Sequence, residues 1–224
     1  MKERLEAELY VEPFPLMVIS NFYNDMELAL IWQELEFYTA PNKLLDAEDY
    51  GGVIGKTNAK ALHLDRIYKN NENGANYRNI SNILTVNRKL FNCGVLDKFS
   101  ELHGCCTIAN ETNWDTTKVR YYHNGEYYDP HTDKSTQFLG FSYFYREPKK
   151  FKGGDLEFPK CDFKIPCENN SMVIFPGWVE HGVREVSIEG SDYYDGFGRY
   201  CISNFFGSKR SEADYTKDFN AITT

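Results

Sequence analysis

The sequence predicts a mainly β fold braced by α-helices, and three observations carry that expectation. Aromatic residues make up 16% of the chain, with 16 Tyr and 16 Phe, a richness suited to half-buried pleated surfaces. From Thr116 onward, short aromatic and β-branched runs alternate with turn residues, and no helical period intervenes. Two amphipathic stretches precede that series. Helices ahead of many antiparallel strands point to a barrel or jelly roll braced on one side. The length of 224 residues suits one domain over 1–224.

The first helix is expected over Asn24 to Tyr38, where Leu28, Ile31, Trp32 and Leu35 share one face and Asn24 with Glu27 forms a capping box. A second is expected from about Tyr77 to Asn92, carrying Ile80, Ile83, Leu84 and Leu90, with a short continuation through Val95, Phe99 and Leu102 after Cys93-Gly94. Between them, residues 40–75 read as loop, with turns at Gly51-Gly52, Gly55 and Asn73-Gly74 and one strand near Ala61 to Tyr68. Long loops of this kind often cover a site. The strand runs are Lys118 to Tyr122, Phe138 to Tyr145, Asp155 to Phe158, Met172 to Phe175, Val179 to Val186 and Tyr200 to Phe206. Asn124-Gly125, Gly153-Gly154 and Pro176-Gly177 separate them. This divides the chain into helical support over about 13–115, a strand core over about 116–207 and a charged tail over about 208–224.

The formal charge of −8 and the lack of any basic stretch beyond Lys149-Lys150-Phe151-Lys152 disfavour a nucleic-acid partner. A surface of this sign serves solubility and suits a neutral or basic peptide or a small molecule. The six cysteines form no Cys-x-x-Cys pair and read as reduced, mostly buried thiols. The opening Met1-Lys2-Glu3-Arg4-Leu5-Glu6 lacks a secretory pattern, and no apolar run is long enough for a bilayer. The expectation is a cytoplasmic protein with no membrane association, in a reducing compartment.

His131-Thr132-Asp133 places an imidazole and a carboxylate on one face of an extended segment. On its own such a triplet is common by chance, and a strand histidine usually has an ordinary hydrogen-bond partner. His181, after the turn at Pro176-Gly177, is placed to complete the set. Two histidines and one carboxylate on one side of a metal leave open positions opposite, the geometry of non-haem iron(II) oxygenases.

The segment Tyr122-His123-Asn124-Gly125-Glu126-Tyr127-Tyr128-Asp129-Pro130-His131-Thr132-Asp133 resembles the prolyl 4-hydroxylase pattern Y-x-x-G-x-x-Y-x-x-H-x-D at every specified position. Three further blocks follow in that family's order: Phe144-Tyr145-Arg146-Glu147-Pro148 with Gly153-Gly154-Asp155-Leu156-Glu157-Phe158-Pro159, then Ser171 to His181, then Gly198-Arg199-Tyr200-Cys201-Ile202-Ser203-Asn204-Phe205-Phe206. The resemblance spans residues 117–207, is weak over 13–38 and is silent over 40–115. It implies a double-stranded β-helix (jelly-roll) fold and an iron(II)- and 2-oxoglutarate-dependent dioxygenase. Its metal ligands would be His131, Asp133 and His181, with dioxygen as co-reactant and ascorbate as a possible reductant.

Arg199 is the candidate for the far carboxylate of 2-oxoglutarate, because a guanidinium offers that group two parallel donors. Arg184 is the weaker alternative. Tyr122 stands at the family position of a tyrosine facing the cosubstrate, with core packing nearly as good an explanation. Tyr128 is expected to pack, and Trp178 and Phe144 either wall the pocket or sit in the core. His63, His103 and His123 lack ligand-spaced partners and read as surface or ordinary hydrogen-bonded residues. The interval from His181 to Arg199 exceeds the family's, so residues 187–197 are expected to form an extended hairpin.

The resemblance implies hydroxylation of proline in a peptide or protein. A free amino acid, another side chain or a small metabolite is the alternative substrate, and a non-catalytic jelly-roll binding module is the alternative of another class.

Overall fold

The computed structural model describes residues 6–52, 55–68, 76–190 and 192–208. Among the described residues, thirteen strands form: β1 Ala7–Tyr10, β2 Leu16–Ile19, β3 Lys60–His63, β4 Trp114–Tyr122, β5 Tyr128–His131, β6 Phe138–Phe144, β7 Phe151–Gly153, β8 Leu156–Phe158, β9 Phe163–Ile165, β10 Ser171–Pro176, β11 His181–Val183, β12 Val186–Ile188 and β13 Arg199–Gly207. They pair antiparallel in a seven-stranded sheet of order β1-β2-β10-β6-β13-β4-β3, a four-stranded sheet of order β5-β11-β8-β9, and the pair β12-β7. This is the jelly roll that the strand series predicts; β1 and β2 join its large sheet from ahead of the first helix, and β3 falls at the strand expected near Ala61.

Strand periodicity sorts the large sheet into two faces. Val119, Tyr121, Phe138, Phe144, Met172, Ile174, Tyr200, Ile202 and Phe206 pack outward in one core with the helices. Tyr122, Leu139, Phe141, Tyr143, Val173, Phe175 and Cys201 pack inward in a second core with Leu156, Phe158, Ile165 and Val183 of the small sheet. Each fully buried side chain of this size contributes roughly 1.5–3 kcal/mol. Polar groups on the inward face are therefore costly, and they mark the site.

The helix α1, Asp25–Tyr38, forms with its capping box intact and buries Ile31, Leu35 and Tyr38. Its buried Glu34 takes the Tyr38 hydroxyl at 2.6 Å and the backbone N–H of Ile83 at 2.6 Å. That carboxylate thus satisfies an otherwise orphan donor at the start of the helix Asn82–Val86. The predicted second helix is broken into a 3-10 turn at Arg78–Ile80 and short helices at Asn82–Val86, Lys89–Asn92 and Val95–Ser100. Buried Asn87 sits at the break, donating to Asn204 Oδ1 at 3.0 Å and accepting from the Tyr23 hydroxyl at 2.7 Å. Tertiary hydrogen bonds override the periodicity.

Other expectations are corrected in the same way. The strand expected at Ala61 to Tyr68 stops at His63, and a helix runs over Leu64–Tyr68. The Val179 to Val186 run splits into β11 and β12. The start of the 187–197 insertion pairs with β7, Ser187 opposite Lys152 and Ile188 opposite Phe151, so the described residues form no hairpin of their own. All six cysteines are free thiols, but only Cys106, Cys167 and Cys201 are buried, and Cys93, Cys105 and Cys161 are exposed. Asn73-Gly74 and the tail beyond Ser208 lie outside the described residues. Among the described residues, no helix is long and apolar enough to cross a membrane.

Glu126, in the turn before β5, is buried and accepts from the His123 N–H at 2.6 Å. Burial raises its carboxyl from the ordinary 4.5 to about 7. The folded chain therefore holds a proton that the unfolded chain releases across that window, and stability falls as pH rises through it. Glu126→Gln keeps the acceptor and loses the charge. Its unfolding midpoint should exceed the parent's by a few degrees above pH 7 and match it below pH 4.5, as read by thermal melts across pH.

Candidate active site

His131 ends β5 and stands directly opposite His181, which opens β11. Asp133 lies two residues beyond, where its N–H donates to the Gly177 carbonyl at 2.9 Å and its own carbonyl accepts from Thr136 at 3.0 Å. Gly177 is required at this crossing, since a Cβ there would lie 2.4 Å from the Thr136 oxygen and 2.9 Å from the Asp133 oxygen. One ligand atom from each of His131, Asp133 and His181 falls within 4.8 Å of the others.

The tautomers follow from the backbone. His131 Nδ1 lies 2.9 Å from the Asp129 carbonyl, and His181 Nδ1 lies 2.9 Å from the Val179 carbonyl. A carbonyl only accepts, so each Nδ1 carries the hydrogen and each Nε2 presents a lone pair. Burial pulls His181 down to about 4, with His131 adding to the shift, and burial lowers His131 as well. Both rings are neutral at physiological pH. His181 Nε2 is buried without a hydrogen-bond partner and faces Asp133 Oδ2 at 3.6 Å. A lone pair opposed to a carboxylate oxygen is a repulsive pairing unless a cation lies between them, so the donor set fits a metal of the kind that takes nitrogen and oxygen.

Arg199, the first residue of β13, is 1% exposed and opposite Tyr122 in register. Its Cζ lies 4.7 Å from the ring centres of both Tyr122 and Tyr143, and its Nε donates to the Gly154 carbonyl at 2.7 Å. Neither Nη1 nor Nη2 has a hydrogen-bond partner, and neither does the buried Tyr143 hydroxyl; the buried Cys167 thiol beside the guanidinium offers only a weak acceptor. A buried charge without a counter-charge costs several kcal/mol. Two parallel N–H groups with a hydroxyl nearby form a cradle for a carboxylate.

Gly154 makes this end possible, with φ of +72° and a virtual Cβ only 2.7 Å from Arg199 Cδ. Gly154→Ala should displace the guanidinium. The expected result is at least tenfold weaker 2-oxoglutarate binding by calorimetry, about 1.4 kcal/mol, and a lower unfolding midpoint.

His131, Asp133, His181, Tyr122 and Arg199 line one inward-facing cavity together with Arg120, Tyr128, Phe141, Val183, Cys201, Ser203 and Phe205. Tyr128 packs as expected, stacked on His131 with centroids 4.0 Å apart. Phe141 and Phe175 face His181 at 5.7 and 5.0 Å. Phe144 packs in the helix-side core, and Trp178 is 58% exposed, so neither lines this cavity. Arg184 is exposed and reaches Glu157 at 3.6 Å. His63 is half-buried, His103 accepts the Cys105 N–H at 3.2 Å, and His123 is buried beside Tyr121 and Tyr193.

Sequence reasoning missed Tyr143 and Arg120, and it expected the loop before β3 to cover a site without naming its residues. Tyr143 shares its strand face with Leu139 and Phe141, but the run offers no way to prefer it over Tyr145. Lys56, Thr57 and Asn58 lie along β5 and the turn before it: Asp129 N donates to the Lys56 carbonyl at 2.7 Å, Thr57 Oγ1 to the Tyr127 carbonyl at 2.8 Å, and Tyr127 N to Asn58 Oδ1 at 2.9 Å. The loop therefore does cover the site, and it delivers buried Tyr50 to Arg120.

Residues 117–207 match the model of the 2OG-Fe(II) oxygenase superfamily. No curated protein matches the chain. The fold is prolyl-4-hydroxylase-like. It is similar to a Pseudomonas putida prolyl-4-hydroxylase (TM-score 0.57, 14% identity, 87% of this chain and 93% of the other). It is also similar to a Trichoplax adhaerens prolyl hydroxylase bound to a hypoxia-inducible-factor peptide fragment (0.56, 13%, 86% and 83%). A third similar structure is SnoN, a non-haem α-ketoglutarate-dependent epimerase of nogalamycin biosynthesis (0.52, 10%, 86% and 77%).

Proposed function

We propose, taking the match of residues 117–207 to the 2OG-Fe(II) oxygenase superfamily as premise, that the protein is an iron(II)- and 2-oxoglutarate-dependent oxygenase that hydroxylates its substrate. The observation that carries this reading is the pairing, in one cavity, of a His131, Asp133 and His181 donor set with a buried Arg199 whose two Nη atoms have no partner. A metal-binding module without cosubstrate chemistry has no use for the second feature.

His131, Asp133 and His181 hold the metal, with the lone pairs of the two rings set by their Nδ1 hydrogens. Arg199 and the Tyr143 hydroxyl take the far carboxylate of 2-oxoglutarate and fix which end points to the metal. The Tyr122 ring flanks the guanidinium, its centre 4.7 Å from Cζ. Phe141, Phe175 and Val183 exclude water from the metal's neighbourhood. Iron(II) and 2-oxoglutarate bound there supply the reductive activation of dioxygen, releasing succinate and carbon dioxide.

Proline in a peptide or protein is the leading substrate, supported by the resemblance and by the prolyl hydroxylases among the similar folds. The epimerase of the same fold is the reason a small molecule stays as the second reading. The test is incubation with iron(II), ascorbate, 2-oxoglutarate and a panel of prolyl peptides and free amino acids. Succinate release and a mass gain of about 16 Da, one oxygen atom, are the expected result of such chemistry. Absence of 2-oxoglutarate binding together with absence of succinate would sink the reading and leave a non-catalytic module.

A further inference from the structure

Beyond the two features assigned above, the cavity holds a second cationic group. Lys118, Arg120 and Tyr122 alternate along β4, opposite Ser203, Cys201 and Arg199 of β13. Arg120 is 5% exposed and lines the same cavity as His131, Asp133, His181 and Arg199. Of its five N–H donors, one reaches an oxygen among the described residues, the Tyr50 hydroxyl at 3.2 Å. The rings of Tyr50 and Tyr128 lie 5.4 and 5.0 Å from its Cζ. Lys118 Nζ stands 5.6 Å from the Tyr50 ring centre and 5.2 Å from that of Phe205.

Aromatic faces stabilise such cations by roughly 0.5–2 kcal/mol, less than the several kcal/mol that burying a charge costs. Among the described residues neither Arg120 nor Lys118 forms an ion pair. The carboxylate of Asp133, in the metal set, acts on Lys118. Burial, with Arg120 adding to it, lowers the Lys118 ammonium to about 8. Two cations side by side, neither in an ion pair among the described residues, mark a place for an anion. 2-Oxoglutarate does not supply it, because its far carboxylate belongs to Arg199 and its other end to the metal.

We propose that Arg120, with Lys118 beside it, anchors a carboxylate of the substrate, so that the hydroxylated molecule is an organic acid or a residue with a free carboxylate near the target carbon. For a prolyl substrate this means a proline whose own carboxyl group is free. The proposal rests on the oxygenase reading, which supplies the metal and cosubstrate that define the remaining space.

The test uses the full chain loaded with zinc, a redox-inert occupant of the same donor set, and saturated with 2-oxoglutarate. Fluorine NMR then follows trifluoroacetate and, as its neutral counterpart, trifluoroacetamide. The acid should bind and the amide should not. Arg120→Gln should weaken acid binding about tenfold to a hundredfold, the worth of a charged hydrogen bond, while Arg120→Lys restores most of it. Lys118→Gln, at a half-buried position less critical to folding, should weaken it about threefold. 2-Oxoglutarate affinity should stay the same in all three. Equal binding of acid and amide, acid binding indifferent to both the Arg120→Gln and Lys118→Gln changes, or a loss of 2-oxoglutarate affinity matching that of the acid would each overturn the proposal. Failure of the parent chain to take up zinc or 2-oxoglutarate would be seen before the probe is added, and would overturn the oxygenase reading itself.

Discussion

Asp133→Ala is expected to abolish iron-dependent succinate formation and to weaken metal binding by more than about a hundredfold, because even the outer partners of metal ligands are worth ten- to a hundredfold. The reasoning starts from the 3.6 Å approach of the Asp133 carboxylate to a partnerless His181 Nε2. Removing the carboxylate removes both a ligand and the charge that favours a divalent cation. Asp133 lies at a turn and its side chain is 24% exposed, so the metal-free chain should unfold at nearly the parent's temperature. Cobalt(II) absorption titration reads the affinity and a thermal melt reads the fold. Unchanged cobalt affinity would remove Asp133 from the metal.

The second large effect is at the opposite end of the cavity. Arg199→Met keeps much of the side-chain volume between Tyr122 and Tyr143 and deletes the charge. The dissociation constant for 2-oxoglutarate should rise by about two orders of magnitude, as a charged hydrogen-bond pair is lost and a carboxylate is left without its counter-ion. Turnover at saturating cosubstrate should fall much less, since the lost contact serves ground state and transition state alike. Because the Arg199 guanidinium is buried and neither Nη atom has a hydrogen-bond partner, the variant without ligand should be as stable as the parent or more so. Added 2-oxoglutarate should raise the parent's melting temperature and leave the variant's nearly unmoved. If Arg184→Ala rather than Arg199→Met erases that shift, the assignment of the anchor is wrong.

Features carried by one short segment were legible in the sequence. His131 and Asp133 sit together because a strand shows one face at every second residue, and Gly153-Gly154 announces a backbone that side chains avoid. Residues made important only by register were not. Tyr143 and Arg120 resemble any other residue of an aromatic or mixed strand until the pairing of β4, β13 and β6 shows which side faces inward. The Tyr77 to Asn92 stretch has a helical pattern, but buried Asn87 finds better partners in Tyr23 and Asn204 than a continuous helix would give it. Residues 56–58 have no periodicity because they follow β5 through an isolated bridge and side-chain bonds rather than as a strand.

The two imidazoles share one further property. Each is fastened by its Nδ1 to the carbonyl two positions earlier on its own chain segment, so ring orientation is inherited from main-chain geometry before any ion arrives. Little rotational entropy remains to be lost on metal uptake, and little order is lost on release. An ion taken up by this donor set would meet rings already oriented, in contrast to small zinc modules whose ligands are ordered only by their metal.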